Sequence, residues 1–309
     1  MMSQTKPVIT AARKSPALLF YQIRNDYRCR RECIRVMNSH RCPVVLVHGW
    51  KSHPGIWNRL VPRLREDQIP VWNFDHTQED NTRIEIIAGR LSEYIDQMRE
   101  ETGCCGQIDM VCHSMGTCIA RYMLEAQGGV GDGEVRQLIG IGPPNHGSAL
   151  AELFNHPDHG PGIIKKLSGI FVPDGYVPQS DVIVQQFRPG SKTMMALQAA
   201  GLRTDISYRI ICAANPTADP GFFPPFDGKT WEQSADGSWQ MTLAGDGIVA
   251  TSESCLSGAG LDVLPSDAGM LAGNPGQYCH ILLPRTPEVV ERIFAYLRDP
   301  GTRPHRICP

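Results

Sequence analysis

The stretch that most constrains this chain runs from Gln107 to Gly116 and reads Q-I-D-M-V-C-H-S-M-G. An apolar run, Ile108 to Cys112, stops at His113-Ser114-Met115-Gly116 and gives way to a helical pattern from Thr117 to Leu124. The order is strand, sharp turn, helix. A serine at the apex of such a turn has its hydroxyl raised above the carboxyl edge of a sheet. The amide that follows it lies at a helix N-terminus, where it can bind an oxyanion. Small residues flank such a serine because strand and helix backbones approach closely there. Gly116 supplies the later one, and Cys112 stands where the G-x-S-x-G pattern has its first glycine.

A chain of 309 residues, 41% apolar and 20% charged, can bury a large core as one α/β domain with an insertion or as two domains. With a net charge of −2 it presents no global field for nucleic acid, so nucleic-acid binding is set aside. No uninterrupted apolar run reaches the roughly 18 residues of a membrane-spanning helix. The patch Ala17 to Tyr21 is too short for a secretory h-region and no small-residue cleavage site follows it. A cytoplasmic location is therefore expected. The eleven cysteines are odd in number, and Cys112, Cys118 and Cys212 lie inside apolar runs, which reads as reduced, buried thiols. Cys29-x-x-x-Cys33 and Cys104-Cys105 lack a second spaced pair or a histidine partner, so neither a metal site nor a cofactor is expected.

Residues 1–41 form a basic leader, with Lys6, Arg13, Lys14, Arg24, Arg28, Arg30, Arg31, Arg35 and Arg41 against Asp26 and Glu32. Its scattered apolar residues suggest a helix packed on the body; the sharper alternative is an arm that touches a lipid surface or a partner. Strand and helix then alternate. Strands are expected at 43–47, 71–74 and 108–112, and again at 135–141 and 207–214, with a last short one at 261–264. Helices are expected at Pro54 to Glu66, Thr82 to Glu101 and Thr286 to Arg298, the last with Thr286 as cap and Pro287 in the first helical position. Such alternation builds a mostly parallel sheet covered on both faces. From about 149 to 205 the alternation breaks down into apolar residues set among Pro and Gly, which reads as a cap over the carboxyl edge of the sheet. A hairpin is expected around Asp236-Gly237.

A serine hydroxyl becomes a useful nucleophile when a histidine removes its proton and a carboxylate orients that histidine. In this architecture the chain order is serine, acid, histidine. Asp246 lies in Gly-Asp-Gly-Ile-Val, and His280 lies in Tyr-Cys-His-Ile-Leu-Leu before the final helix. Asp262 and Asp267 are rival acids, while His146, His156 and His159 precede the acid in sequence. His48-Gly49-Trp50 ends the first buried strand, where a glycine turn lets the Trp50 amide join that of Met115 around an oxyanion. His48 and His113 are expected to support the site by packing or hydrogen bonding. Phe222, Phe223, Phe226 and Trp231 read equally as ordinary packing or as an acyl pocket.

The ordered series V-V-L-V-H-G-W, D-M-V-C-H-S-M-G, I-G-P-P-N-H-G-S, G-D-G-I-V and Y-C-H-I-L-L resembles the α/β-hydrolase lipases and esterases, above all the compact bacterial and archaeal triacylglycerol lipases. The resemblance covers roughly residues 43–283. It implies an α/β-hydrolase domain over 42–309 with the cap inserted at about 149–205. It also implies Ser114 as nucleophile, Asp246 as orienting acid, His280 as base, and the Trp50 and Met115 amides as oxyanion hole. Gly49 and Gly116 supply the close approaches. Some members of the family hold calcium through an acidic residue two positions after the histidine; here that position is Leu282, so no calcium is expected there. The implied activity is hydrolysis of lipid-like or short acyl esters through an acyl-enzyme. Thioesterase or acyltransferase chemistry with the same triad, or an inactive binding protein on this fold, are the alternatives.

Overall fold

The computed structural model describes residues 42–79, 81–234 and 236–308. The basic leader 1–41 lies outside the described residues. The strands are β1 (Val44–Val47), β2 (Val71–Phe74), β3 (Ile108–His113), β4 (Val135–Ile141), β5 (Ser207–Ala213), β6 (Thr230–Gln233), β7 (Trp239–Thr242), β8 (Gly260–Leu264) and β9 (Arg306–Ile307). Seven of them form one sheet in the order β2-β1-β3-β4-β5-β8-β9. All its pairings are parallel except that of β8 with β9. Strands β6 and β7 form a separate antiparallel hairpin. The helices are α1 (Leu60–Glu66), α2 (Ile84–Thr102), α3 (Met115–Arg121), α4 (Ala149–Leu153), α5 (Gly160–Leu167), α6 (Val182–Gln186), α7 (Lys192–Ala200), α8 (Thr251–Ser254) and α9 (Pro287–Arg298).

Each element follows from its pattern. Strands β1 and β3 are buried at every position because helices cover both faces of the sheet, which is why they read as continuous apolar runs without alternation. Helix α2 buries Ile84, Ile87, Ala88, Leu91 and Ile95 along one face and stops at Gly103, whose φ of 68° is the left-handed turn that a glycine takes freely. Helix α9 buries Val289, Val290, Ile293, Phe294 and Leu297 against the sheet.

Several boundaries depart from the sequence pattern. The expected helix from 54 to 66 is a 3-10 turn, Pro54–Trp57, followed by α1. His53 caps that turn by accepting the Gly55 amide on its ring. The helix after Ser114 widens into a π-helical turn over Tyr122–Ala126. Thr286 precedes α9 as expected, but its hydroxyl makes no cap; it donates instead to the carbonyl oxygens of Gln277 and Leu282. That holds the start of α9 to the loop bearing His280.

The cysteines also differ from expectation. Cys255 and Cys308 form a disulfide, and Cys105 is disulfide-bonded as well. Cys308 reaches Cys255 because the chain end adds β9 to β8 and continues with Cys308 N–H bonded to the Ala259 carbonyl at 2.9 Å. A separation of 53 residues hid that pairing from the sequence. Cys112, Cys118 and Cys212 are free and buried, and burial pushes the thiols of Cys118 and Cys212 up to about 12. Uniformly reduced cysteines therefore no longer support the expected cytoplasmic location. Among the described residues no helix is long and apolar enough to cross a membrane.

The topology brings the relevant segments together. Strand β3 lies between β1 and β4, with Val47 opposite Cys112 and His113 opposite Ile141. The carboxyl ends of the three strands thus meet at one edge, where Gly49-Trp50, Ser114 and Gly142 emerge side by side. Between β4 and β5 the chain forms α4, α5, α6 and α7, and residues of this segment stand over that edge.

Candidate active site

Ser114 sits at the turn between β3 and α3 with φ 52° and ψ −128°. This is a strained conformation for a residue with a side chain, of the kind that persists where the surroundings over-determine it. Three contacts do so here. The Ser114 amide donates to the Ile141 carbonyl at 2.8 Å, which ties the apex to β4. A methyl on Gly116 would come within 2.5 Å of the Val47 and His48 carbonyl oxygens, and one on Gly49 within 2.9 Å of the Ser114 Cβ. Both glycines are therefore steric necessities. Cys112, where the usual pattern has glycine, is fully buried, and a close approach lies on the next strand. There Gly140, opposite Cys112, leaves room for Thr117, which a methyl would meet at 2.7 Å.

The three residues singled out in the sequence come together. His280 Nε2 lies 2.9 Å from Ser114 Oγ, and His280 Nδ1 lies 2.7 Å from Asp246 Oδ2. Asp246 is 1% exposed, yet its carboxylate is fully engaged. Oδ1 accepts the amides of Ile248 at 3.0 Å and Val249 at 2.8 Å, leaving Oδ2 for the imidazole. The Asp246 carbonyl accepts the His280 amide at 2.9 Å, so the two loops are joined through the backbone as well. With Asp246 accepting at Nδ1, the neutral imidazole carries its proton there and presents the Nε2 lone pair to the serine hydroxyl. Such a chain can take up the hydroxyl proton while the oxygen attacks an electrophile.

Gly142, Thr230 and His76 belong to this arrangement and were not read from the sequence. Gly142 ends β4 with φ 54°, and a methyl there would lie 2.7 Å from Asp246 Oδ2 and 3.2 Å from His280 Nδ1. Thr230, 1% exposed, accepts the Gly247 amide on Oγ1 at 2.8 Å and so fixes the turn after Asp246. His76 stacks on His48 with ring centroids 3.7 Å apart. Nothing in the local pattern marks Thr230 or His76, whereas Gly142 ends a buried strand as Gly49 does.

His48 is 1% exposed, and burial pushes its pKa down despite the Gly49 carbonyl and Asp75 nearby. Its Nε2 accepts the His76 amide at 3.3 Å, and since an amide can only donate, the ring proton is on Nδ1. Nδ1–H then donates to the Gly49 carbonyl at 3.0 Å. His76 Nε2–H returns a hydrogen bond to the His48 carbonyl at 2.9 Å. His113 is buried against His280, with centroids 4.7 Å apart, and donates from Nε2 to the His280 carbonyl at 3.1 Å. Burial, with His280 next to it, holds His113 well below the ordinary histidine range. Among the described residues no backbone carbonyl accepts the amides of Trp50 or Met115.

The rival residues lie elsewhere. Asp262 is gripped by Arg292, with two contacts of 2.8 Å, and by the Tyr296 hydroxyl. Asp267 caps its own turn by accepting the Gly269 amide. His146 donates to the Cys255 carbonyl, and His156 and His159 pack on each other. Phe222, Phe223 and Phe226 are core residues. Among the described residues no group of three or more His, Cys, Asp or Glu side chains could hold a metal ion.

Above Ser114 and His280 opens a cavity of about 240 Å³. Its apolar wall comes mainly from Leu150, Phe154, Phe171, Ile183 and Phe187 of the segment between β4 and β5. Trp50 packs edge-on against Phe171 and Tyr176, each at 6.0 Å, and so joins that segment to the His48-Gly49 turn.

No family model and no curated protein matches the chain. Solved structures do. The mature form of lipase BlEst2 from Bacillus licheniformis aligns over 83% of this chain and 92% of its own length, with a TM-score of 0.59 and 17% identity. Phospholipase PlaB from Legionella pneumophila in complex with thio-NAD aligns over 85% of this chain with a TM-score of 0.51 and 15% identity; this chain covers 59% of it. The lin2722 product of Listeria innocua aligns over 86% of this chain and 98% of its own, with a TM-score of 0.50 and 16% identity. Likeness at these identities is one of architecture, and together with the parallel sheet and the turn at Ser114 it identifies the chain as an α/β-hydrolase fold.

Proposed function

We propose that this protein is a serine carboxylic-ester hydrolase. The observation that carries the reading is the continuous hydrogen-bonded chain from Ser114 Oγ through His280 to Asp246, set beneath an apolar cavity. His280 Nε2 takes the proton of Ser114 as Oγ bonds to the ester carbonyl carbon, and the carbonyl oxygen becomes an oxyanion. Asp246 holds the imidazolium by charge and hydrogen bond. The oxyanion is met by the amides of Trp50 and Met115, the latter at the N-terminus of α3. Collapse of the tetrahedral species expels the alkoxide, which leaves with the proton from His280. Water then repeats the sequence on the acyl-serine and releases the acid.

His48 supports the Trp50 amide through the planarity of the peptide bond. The Gly49 carbonyl and the Trp50 N–H belong to one trans peptide and point in opposite directions. Holding that carbonyl against His48 Nδ1 turns the Trp50 N–H away from His48. The segment 149–205 acts as the cap, and its apolar residues receive the acyl chain. A cavity of about 150 Å³ accommodates benzene. By that scale the 240 Å³ here holds roughly ten carbon-sized atoms, which suits a medium acyl chain. Ile170 lines the cavity and is 46% exposed, an apolar contact available to a lipid surface at its mouth.

The test is hydrolysis of p-nitrophenyl octanoate by purified wild type and Ser114→Ala. Wild type should turn over the ester and Ser114→Ala should retain at most residual activity. Equal rates would overturn the reading.

A further inference from the structure

The cavity wall carries charge of one sign. Among the described residues, Lys51, His53 and Arg285 line it and no aspartate or glutamate does. Arg285 closes the 3-10 turn Leu283–Arg285, shortly after His280. This turn packs on the turn Pro54–Trp57, which brings Arg285 alongside the segment bearing His53. Its Nε is buried and meets no hydrogen-bond acceptor, and among the described residues no carboxylate pairs with its guanidinium. Several other arginines here are paired, although Arg209, half-buried like Arg285, also has a buried Nε without a partner and, among the described residues, hydrogen-bonds only the Pro300 carbonyl. Arg121 grips Glu125, Arg136 grips Asp109 and Arg292 grips Asp262. A partly buried guanidinium is expensive to leave without an anion, and its planar fork suits phosphate or carboxylate oxygens. His53 adds a second donor: its Nδ1 accepts the Gly55 amide at 3.1 Å, so the neutral ring carries its proton on Nε2.

We propose that Arg285, with His53, forms an anion-recognition subsite, and that the ester substrate carries a phosphate or carboxylate group on its alcohol portion. The inference rests on the esterase reading above and specifies the substrate of that site. Placement on the alcohol side follows from the chemistry. His280 must protonate the departing oxygen, so the leaving group lies on the His280 side of Ser114, and Arg285 is on the turn that follows His280. The acyl chain then occupies the apolar part of the lining, which includes Leu150, Phe154 and Phe187.

The experiment compares kcat/KM for two matched pairs of esters, each ester held below its aggregation concentration. One pair is 1-decanoylglycerol and 1-decanoylglycerol 3-phosphate; the other is isopropyl decanoate and the decanoyl ester of lactate. Wild type should favour the anionic member of at least one pair, and which pair it is distinguishes phosphate from carboxylate. In Arg285→Gln that preference ratio should fall roughly 10–100-fold, the loss of charge-assisted hydrogen bonds. Arg285→Lys, which keeps the charge, should retain part of it, and added salt should reduce the wild-type ratio. Thermal unfolding of both variants separates recognition from folding, and if Arg285→Gln does not fold, the Arg285→Lys ratio and the salt dependence decide. An absence of preference in wild type, or an unchanged ratio in the folded variants, overturns the proposal. Hydrolysis of p-nitrophenyl octanoate, measured alongside, shows whether the esterase reading survives that failure: if it persists, only the anionic subsite is wrong.

Discussion

Gly142 lies so close to Asp246 that a single methyl on its Cα would stand 2.7 Å from the carboxylate oxygen bonded to His280. The end of β4 therefore forms the floor on which Asp246 and His280 meet. Gly142→Ala should push Asp246 and His280 apart and also strain a backbone at φ 54°. A displacement of about 1 Å at such a contact lowers turnover roughly 10²-fold. We expect that loss in kcat with KM little changed, measured on a p-nitrophenyl ester, in a protein that still unfolds cooperatively.

His48 offers a test of the oxyanion arrangement. Asparagine places its amide nitrogen where Nδ1 stands and can still donate to the Gly49 carbonyl, whereas glutamine places its polar end nearer the Nε2 position. His48→Asn should retain most of kcat. His48→Gln should lose up to roughly 10²-fold, in the direction of a weakened oxyanion donor. The reverse ranking, with both variants folded, would show that the Gly49 peptide is held by something else.

The two acids considered for His280 should separate cleanly. Asp246→Asn removes the carboxylate that orients and balances the imidazole, and a loss of about 10⁴ in kcat is expected. Asp262 is 0% exposed, and although burial opposes its ionisation, Arg292 and Tyr296 hold its pKa below the ordinary carboxylate value. Removing that charge leaves Arg292 without its partner. Asp262→Asn should thus lower stability by about 3 kcal/mol while kcat on the same ester stays close to wild type. Urea denaturation and steady-state kinetics on the pair decide this.

Stability should depend on pH through the histidines. Burial, reinforced by His48, pushes His76 down to about 4, and burial also lowers His48 and His113. The unfolded chain binds protons at these sites below pH of about 6.5 while the folded chain does not. Stability from this source is complete above that pH and is lost as pH falls from about 6.5 toward 4. In His76→Gln the slope of unfolding free energy against pH across that window should decrease by about one proton. An unchanged slope would mean that His76 is protonated in the folded state.

The cavity volume sets an acyl limit. Among p-nitrophenyl esters, kcat/KM should be greatest near the octanoyl and decanoyl members and fall by the hexadecanoyl ester. A steady rise with chain length would show that the chain extends outside the 240 Å³ cavity.

Much of the fold was legible because its signals are local. Val44–Val47 and Ile108–Cys112 are continuous apolar runs, and such runs specify doubly covered strands; Gly116 and Gly49 mark close approaches by residue type alone. The convergence of Ser114, Asp246 and His280 was legible because their order along the chain follows the order of the strands. What escaped depended on contacts across the sequence. Thr230 secures the Asp246 turn from 17 positions away, and His76 reaches His48 from 28. The Cys255–Cys308 disulfide needed the β8 and β9 pairing to be seen. At Thr286 the boundary held but the expected cap did not form, because its hydroxyl serves the preceding loop instead of its own helix.

The central claim is that Ser114 is the nucleophile activated by His280. A fluorophosphonate probe, followed by peptide mass spectrometry on wild type, Ser114→Ala and His280→Ala, tests it most directly. The account predicts stoichiometric labelling of Ser114 in wild type, none in Ser114→Ala, and labelling slowed by orders of magnitude in His280→Ala. Labelling at any other serine, or undiminished labelling in Ser114→Ala, would contradict it.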